Sequence, residues 1–186
     1  MNLFNVRDEN DRKLLDETQG QAFHRAVAQL LFTGIQCRKD SQTAIDFLTT
    51  RVRKPDEDDW KKLRRLLGQL KRTIKLPLIL RTDRVNVLKW WVDVSYAAHD
   101  DMRGHTGGTM SMGKYGRGSI ISILKKQKIN TKSSTEAELI GADNELPQML
   151  WPRYFLEAQG YGIDKNILYQ DNMSAILLEK NGKKSS

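Results

Sequence analysis

A single cysteine, Cys37, rules out an internal disulfide framework and fits a reducing, intracellular setting. Prolines are few, four in 186 residues, and each reads as punctuation: Pro55, Pro77, Pro147 and Pro152. No apolar run approaches the roughly 18–20 residues that a bilayer span needs. The stretch from Met1 to Glu17 is polar and acidic, without the apolar core of a signal peptide. Neither a membrane nor a secretory route is therefore expected. Internal repeats and low-complexity tracts are absent too, which excludes solenoids and arrays.

What the chain does have is positive charge. The formal net charge is +8, and 39% of the residues are hydrophobic. That composition suits one domain with a real core, or a small domain with a helical appendage. A basic balance of this size points to a polyanionic partner, nucleic acid above all.

Residues 1–21 are charged and aperiodic and read as a loose lead-in. From Ala22 the period turns helical, with Phe23, Ala26, Val27, Leu30, Leu31 and Gly34 in register and His24 on the polar side. A second helix, capped by Asp40 or Ser41, carries Ala44, Phe47, Leu48 and Val52. The third begins at the acidic cluster Asp56–Asp59, which complements the helix dipole better than it makes a metal site. Trp60, Leu63, Leu66, Leu67, Leu70 and Ile74 line one side of it. Lys61, Lys62, Arg64, Arg65, Lys71 and Arg72 cover the rest, a face suited either to solvent or to a phosphate backbone. Helical residues 22–86 thus form one segment, closed by Pro77 and a short apolar strand over residues 76–80.

A second segment, residues 87–186, has a strand-rich start. Residues 87–94 have the β-branched and aromatic content of a strand, interrupted by Asp93. A carboxylate there is costly to bury unless paired or metal-bound. Residues 97–108 read as a turn-rich loop, in which His99, Asp100, Asp101 and His105 do not match a zinc spacing. Strands at 109–112 and 119–124 flank a glycine-rich turn, Gly113–Gly118, that lacks the Gly-Lys-Ser/Thr ending of a phosphate-binding loop. Lys125, Lys126, Lys128 and Lys132 lead to a helix that Ser133, Ser134 or Thr135 can cap, with Glu136 and Glu138 in its first turns. It runs to about Glu145, restarts at Pro147, bends at Pro152 and stops at Gly160 and Gly162. Residues 167–171 form a strand ending in Asp171, and residues 172–180 a last helix.

The order strands, helix, strand, helix predicts an α/β fold in which antiparallel strands gain a parallel neighbour through a helical crossover. Such a sheet brings Asp93, Glu138 or Glu136, and Asp171 to one edge. Like charges there need a cation. Hard oxygen donors suit Mg2+, with Mn2+ possible. Two such ions about 4 Å apart activate water and stabilise a leaving oxygen in phosphodiester hydrolysis.

Three short stretches, in order, carry a resemblance: Lys125-Lys126-Gln127, then Ser133-Ser134-Thr135-Glu136-Ala137-Glu138, then Asp171-Asn172-Met173-Ser174-Ala175-Ile176. The succession resembles the ribonuclease H region of copia-type LTR retrotransposon Pol polyproteins. Phe23–Val27 with Leu30–Phe32, and Trp60–Lys71, resemble the connection segment between reverse transcriptase and ribonuclease H. Residues 22–182 fall under this resemblance. It implies a ribonuclease H-like mixed sheet with flanking helices, preceded by a small helical segment. It also implies Asp93, Glu138 and Asp171 as the catalytic carboxylates holding two Mg2+ ions. Glu138 is preferred over Glu136 because the family has a small residue three positions on, here Gly141.

The implied substrate is the RNA strand of an RNA–DNA hybrid, with Lys61, Arg64, Arg65, Lys71, Lys126, Lys128 and Lys132 as candidate backbone contacts. The implied partner is the rest of the Pol polyprotein, and the setting is a cytoplasmic particle or the nucleus. The tyrosine and paired aspartates of a polymerase palm are absent, so polymerase activity is not expected. Family members continue into a further strand and helix, so the fold is expected to be incomplete at its C-terminal end. A non-catalytic nucleic-acid-binding fragment and an inactive transposon remnant are the alternative readings.

Overall fold

The computed structural model describes residues 6–99, 101–113 and 118–182 and divides into two compact units, Met1–Leu78 and Ile79–Ser186. The expected glycine-rich turn lies largely outside the described residues, as does Asp100.

In the first unit, helix α1 spans Glu17–Gln36, α2 Gln42–Thr49 and α3 Glu57–Arg72. Helix α1 begins before the expected Ala22. The Asp16 side chain accepts from the Gln19 N–H at 2.7 Å, and Glu17 follows in the first turn, where the dipole favours it. The lead-in is tied down as well: the Leu15 N–H donates to Pro55 O at 3.0 Å, and Arg7 pairs with Asp58. Phe23, Val27 and Leu30 of α1 pack with Ile45, Phe47 and Leu48 of α2 and with Leu63 and Leu66 of α3.

The acidic cluster at the start of α3 is a capping box. Asp56 Oδ1 accepts from the Asp58 and Asp59 N–H groups at 2.9 Å, and Asp59 Oδ2 accepts from the Asp56 N–H at 3.1 Å. Arg51 then pairs with Asp59 at 3.1 Å. Two expectations for α3 fail. Lys62 is buried, its Nζ lying 4.6 Å from the Phe47 ring centroid, whereas Leu67 and Ile74 are exposed. A lysine stem with a cation on an aromatic face satisfies an apolar environment. Residues 76–80 pair with no strand among the described residues, and Leu76, Ile79 and Leu80 are exposed.

The second unit is α/β. Strands β1 (Val87–Ser95), β2 (His105–Ser111) and β3 (Ile121–Lys126) form an antiparallel meander, and β4 (Lys165–Tyr169) joins β1 in parallel, giving the order β3-β2-β1-β4. Strand β2 starts within the expected loop, because residues 105–108 pair with residues 92–95 of β1. The shorter loop is closed by His99 Nε2 and His105 Nδ1, 3.0 Å apart, and by Asp101 on Lys126 at 2.8 Å.

Helix α4 (Ser134–Ala158) runs unbroken through Pro147 and Pro152, where a restart and a bend were expected. Met149 and Leu156 pack with Leu88, Trp90, Met110 and Ile163, so burial against the sheet outweighs the hydrogen bonds the prolines remove. Gly160, at φ +87°, ends the segment as expected. Helix α5 (Met173–Asn181) is capped by Asn172, whose side-chain oxygen accepts from the Ala175 N–H at 3.0 Å. No helix among the described residues is long and apolar enough to cross a membrane.

Candidate metal centre

Strand order reverses between β1 and β4, since the chain leaves β1 toward β2 and returns on the other side. Crevices at such a switch point, beyond the carboxyl ends of parallel strands, are natural ligand sites. Here β4 pairs with β1 only as far as Trp91–Tyr169, so Val92–Ser95 runs on without a neighbouring strand on that side among the described residues. Asp93 lies in this overhang, and Asp171 lies just past the end of β4.

Glu138 enters the gap from α4. The Ser133 hydroxyl accepts from the Glu136 N–H at 3.2 Å, starting the helix one turn ahead of it. Ala137 and Gly141 form a small-residue seam against the sheet. A Cβ on Gly141 would sit 2.5 Å from Val94 Cγ2, so only glycine lets α4 approach β1 this closely. Gln127, from the Lys-Lys-Gln stretch, locks the same turn: its side-chain amide donates to Ala137 O at 2.9 Å and to Thr106 Oγ1 at 3.1 Å.

One oxygen each of Asp93, Glu138 and Asp171 lies within 4.8 Å of the others. Asp93 and Asp171 are exposed and Glu138 is buried. Two donors hold Glu138. The Val94 N–H reaches Oε1 at 3.3 Å, and the Gln170 side-chain amide reaches Oε2 at 3.0 Å. Burial pushes the Glu138 carboxyl above the usual range; the Gln170 hydrogen bond opposes this, and the Asp93 charge adds to it. Three hard oxygen donors converging with so much negative charge fit a divalent cation.

Glu136, the other candidate in the helix, is used locally: its Oε2 accepts from the Lys132 N–H at 2.7 Å. Among the described residues the trio is the one group of three or more His, Cys, Asp or Glu placed to hold a metal. Lys61, Arg64, Arg65 and Lys71 are exposed on α3; Lys128 and Lys132 are exposed just ahead of α4. Lys126 is half-buried and taken up by Asp101. Sequence reasoning assigned no role to Gln170 or Gln127. Gln170 was findable as the polar residue between the β4 run and Asp171; Gln127 carried no signal beyond its place in a motif.

No family model matches the chain, and no solved structure does. Its relatives are retrovirus-related Pol polyproteins of plant transposons. The polyprotein from transposon TNT 1-94 of Nicotiana tabacum is 28% identical over 159 residues, 86% of this chain and 12% of that protein. The polyproteins from transposons RE2 and RE1 of Arabidopsis thaliana are each 28% identical over 167 residues, 89% of this chain and 11% of theirs. The chain thus spans about a tenth of the length of these relatives.

Proposed function

We propose that this chain is the ribonuclease H portion, with the preceding connection segment, of a copia-type retrotransposon polyprotein, and that it hydrolyses the RNA strand of RNA–DNA hybrids. The observation that carries the reading is the convergence of Asp93, Glu138 and Asp171 at the switch point of a mixed sheet. Relatives that are Pol polyproteins support it. So does a net charge of +8.

Asp93, Glu138 and Asp171 would hold two Mg2+ ions, or Mn2+ in their place. Bound there, divalent ions acidify a water and stabilise the leaving oxygen of a phosphodiester. The chain's own task is to keep the three carboxylates together against their repulsion. Gln170 and the Val94 N–H do this for Glu138, fixing both its oxygens. The Gly141 seam fixes the depth at which α4 delivers it. Lys61, Arg64, Arg65, Lys71, Lys128 and Lys132 are proposed to neutralise backbone phosphates, with Lys126 contributing less while it pairs with Asp101. The setting implied is inside the cell, in a particle or the nucleus, alongside the rest of the polyprotein.

The test is Mg2+-dependent cutting of a labelled RNA strand within a hybrid, with Asp93→Asn as control. Cutting by the parent and loss of about a hundredfold or more in the variant are expected, as for loss of a preorganised electrostatic group. A parent protein as inert as Asp93→Asn removes the enzyme reading.

A further inference from the structure

Two turns beyond Glu138, α4 carries a second buried carboxylate. Glu145 is 0% exposed and lies beside Gly108 of β2, and neither of its oxygens has a hydrogen-bond partner among the described residues. Native structures keep few buried polar groups unpaired, and each calls for a reason. Packing supplies none, since an apolar side chain of the same length fills the same space.

Glu145 lines a cavity of about 250 Å3. Its other walls include Thr106 on β2, Lys125 on β3, Gln127 and Lys128 in the loop that follows, and Asn144 on α4. The cavity lies on the β3 side of the sheet, away from β4. Gln127 is pinned by its bonds to Ala137 O and Thr106 Oγ1, so that wall is preset. Lys125 and Lys128 are exposed, while Lys126 between them is engaged by Asp101.

Two unpaired acceptors inside thus meet positive charge outside. A carboxylate carries its oxygens side by side, so its complement is a pair of parallel N–H donors. Two common groups supply such a pair: a guanidinium, and the edge of guanine that bears N1–H and the 2-amino group. The lysines choose between them. A guanidinium enters past like charges, whereas a guanine nucleotide is neutral at its base and anionic at its phosphate. Adenine and cytosine set one amino group beside a ring acceptor, and uracil sets one N–H between two carbonyls. None of these matches two acceptors. The volume, below the roughly 300–1,000 Å3 usual for drug-sized ligands, suits one base with its phosphate outside.

We propose that this cavity is a guanine site, with Glu145 accepting from N1–H and the 2-amino group and with Lys125 and Lys128 meeting the phosphate. Entry asks the exposed lysine stems to swing aside, a ps–ns motion. Burial pushes the Glu145 carboxyl above its usual range and the Lys125 charge opposes this; paired N–H donors would hold it ionised in the same sense. Seven residues of helix put Glu145 about 10 Å along α4 from Glu138, so the site is separate from the trio and does not rest on the nuclease reading. The guanine comes from a free mononucleotide or from an unpaired strand end, and the same chemistry serves both.

The experiment is calorimetric titration of the full-length protein with GMP, IMP and AMP, in EDTA so that no cation bridges a phosphate to the trio. IMP lacks only the 2-amino group. GMP is expected to bind about five- to a hundredfold more tightly than IMP or AMP, the worth of a bidentate pair. Glu145→Gln is expected to lose that preference, because an amide presents one acceptor and one donor, and Asp93→Asn to keep it. Equal or absent binding of GMP and IMP overturns the proposal, as does a folded Glu145→Gln variant that keeps the preference. If that variant fails to fold, GMP methylated at N1 decides on the parent: weakened binding supports the site, and unchanged binding overturns it. RNA strands ending in an unpaired G or A identify the source. A G-ended strand that binds more tightly than GMP assigns the site to a strand, and one that binds no better assigns it to the free nucleotide. Hybrid cutting is assayed in parallel. GMP preference without cutting removes the nuclease and keeps the site; cutting without GMP preference removes the site alone.

Discussion

Replacing Glu145 with methionine should stabilise the protein, and the gain should grow as pH rises. Glu145 lies on α4 beneath β2, fully buried, with neither carboxylate oxygen hydrogen-bonded among the described residues. Its side chain packs against Gly108, where an added Cβ would already sit 3.6 Å from it. Burial pushes its carboxyl above the ordinary value of 4.5, and the Lys125 charge opposes the shift. A buried polar group without a partner costs about 1–3 kcal/mol. Methionine keeps the length of the side chain and removes that cost, and each kcal/mol shifts a domain of this size by about 4–8 °C. The sign of the pH dependence follows from the raised value. Below 4.5 the acid is protonated in both the folded and the unfolded chain, so ionisation costs nothing. As pH climbs through 4.5 toward the raised folded value, the unfolded chain releases its proton first and stability is lost. Melts followed by circular dichroism at about pH 4 and pH 8, read as the difference between parent and variant, cancel every other titration. The reasoning is refuted if Glu145→Met lowers the melting temperature at the higher pH, or if the difference does not widen. Lys125→Gln in the parent should lower its stability at the higher pH, since it removes the charge that helps the carboxylate.

Gly141→Ala should cost about 1–3 kcal/mol by overpacking against Val94, although alanine is the better helix former; a urea titration showing stabilisation would contradict the seam. Adding Mg2+ should raise the parent's melting temperature, by about 2.7 kcal/mol equivalent at a hundredfold excess over Kd, and do much less for Asp93→Asn. Without cation that variant should be at least as stable as the parent, because a repulsion has been lifted. In the first unit, Asp56→Ala should cost about 1–2 kcal/mol through loss of the α3 cap, measured by denaturant titration. Arg64→Ala with Arg65→Ala should lower the slope of log K against log salt for hybrid binding by about one for each phosphate left without its cation; an unchanged slope leaves that face of α3 to solvent.

Strand and helix types in the second unit were legible because their signals are local: β-branched and aromatic content in β1, and the capping residues Ser133 to Thr135 at the start of α4. The gathering of Asp93, Glu138 and Asp171 was legible from element order, which leaves few ways to close a mixed sheet. Long-range packing was not. The prolines of α4 read as breaks, because nothing in their neighbourhood announces that Met149 and Leu156 bury against the sheet on either side. Lys62 read as surface because its partner, the Phe47 ring, is on another helix. Residues 76–80 read as a strand from composition, but a strand exists only where a neighbour supplies a ladder of hydrogen bonds, and the Gly118 N–H on Ile79 O, at 3.2 Å, makes no ladder. The choice between Glu136 and Glu138 likewise depends on the geometry of one turn: the first reaches back to Lys132, the second forward into the gap.

That gap has one more property. Past the end of β4 the Val94 amide has no strand to pair with on that side among the described residues, and its hydrogen is held by the Glu138 side chain. Protection of a single backbone amide is therefore tied to the charge state of the central carboxylate. Its exchange rate and chemical shift would register protonation of Glu138 and binding of the proposed cation alike, separately from any cutting. Under the proposed function the fold would carry its own occupancy gauge, readable at one residue.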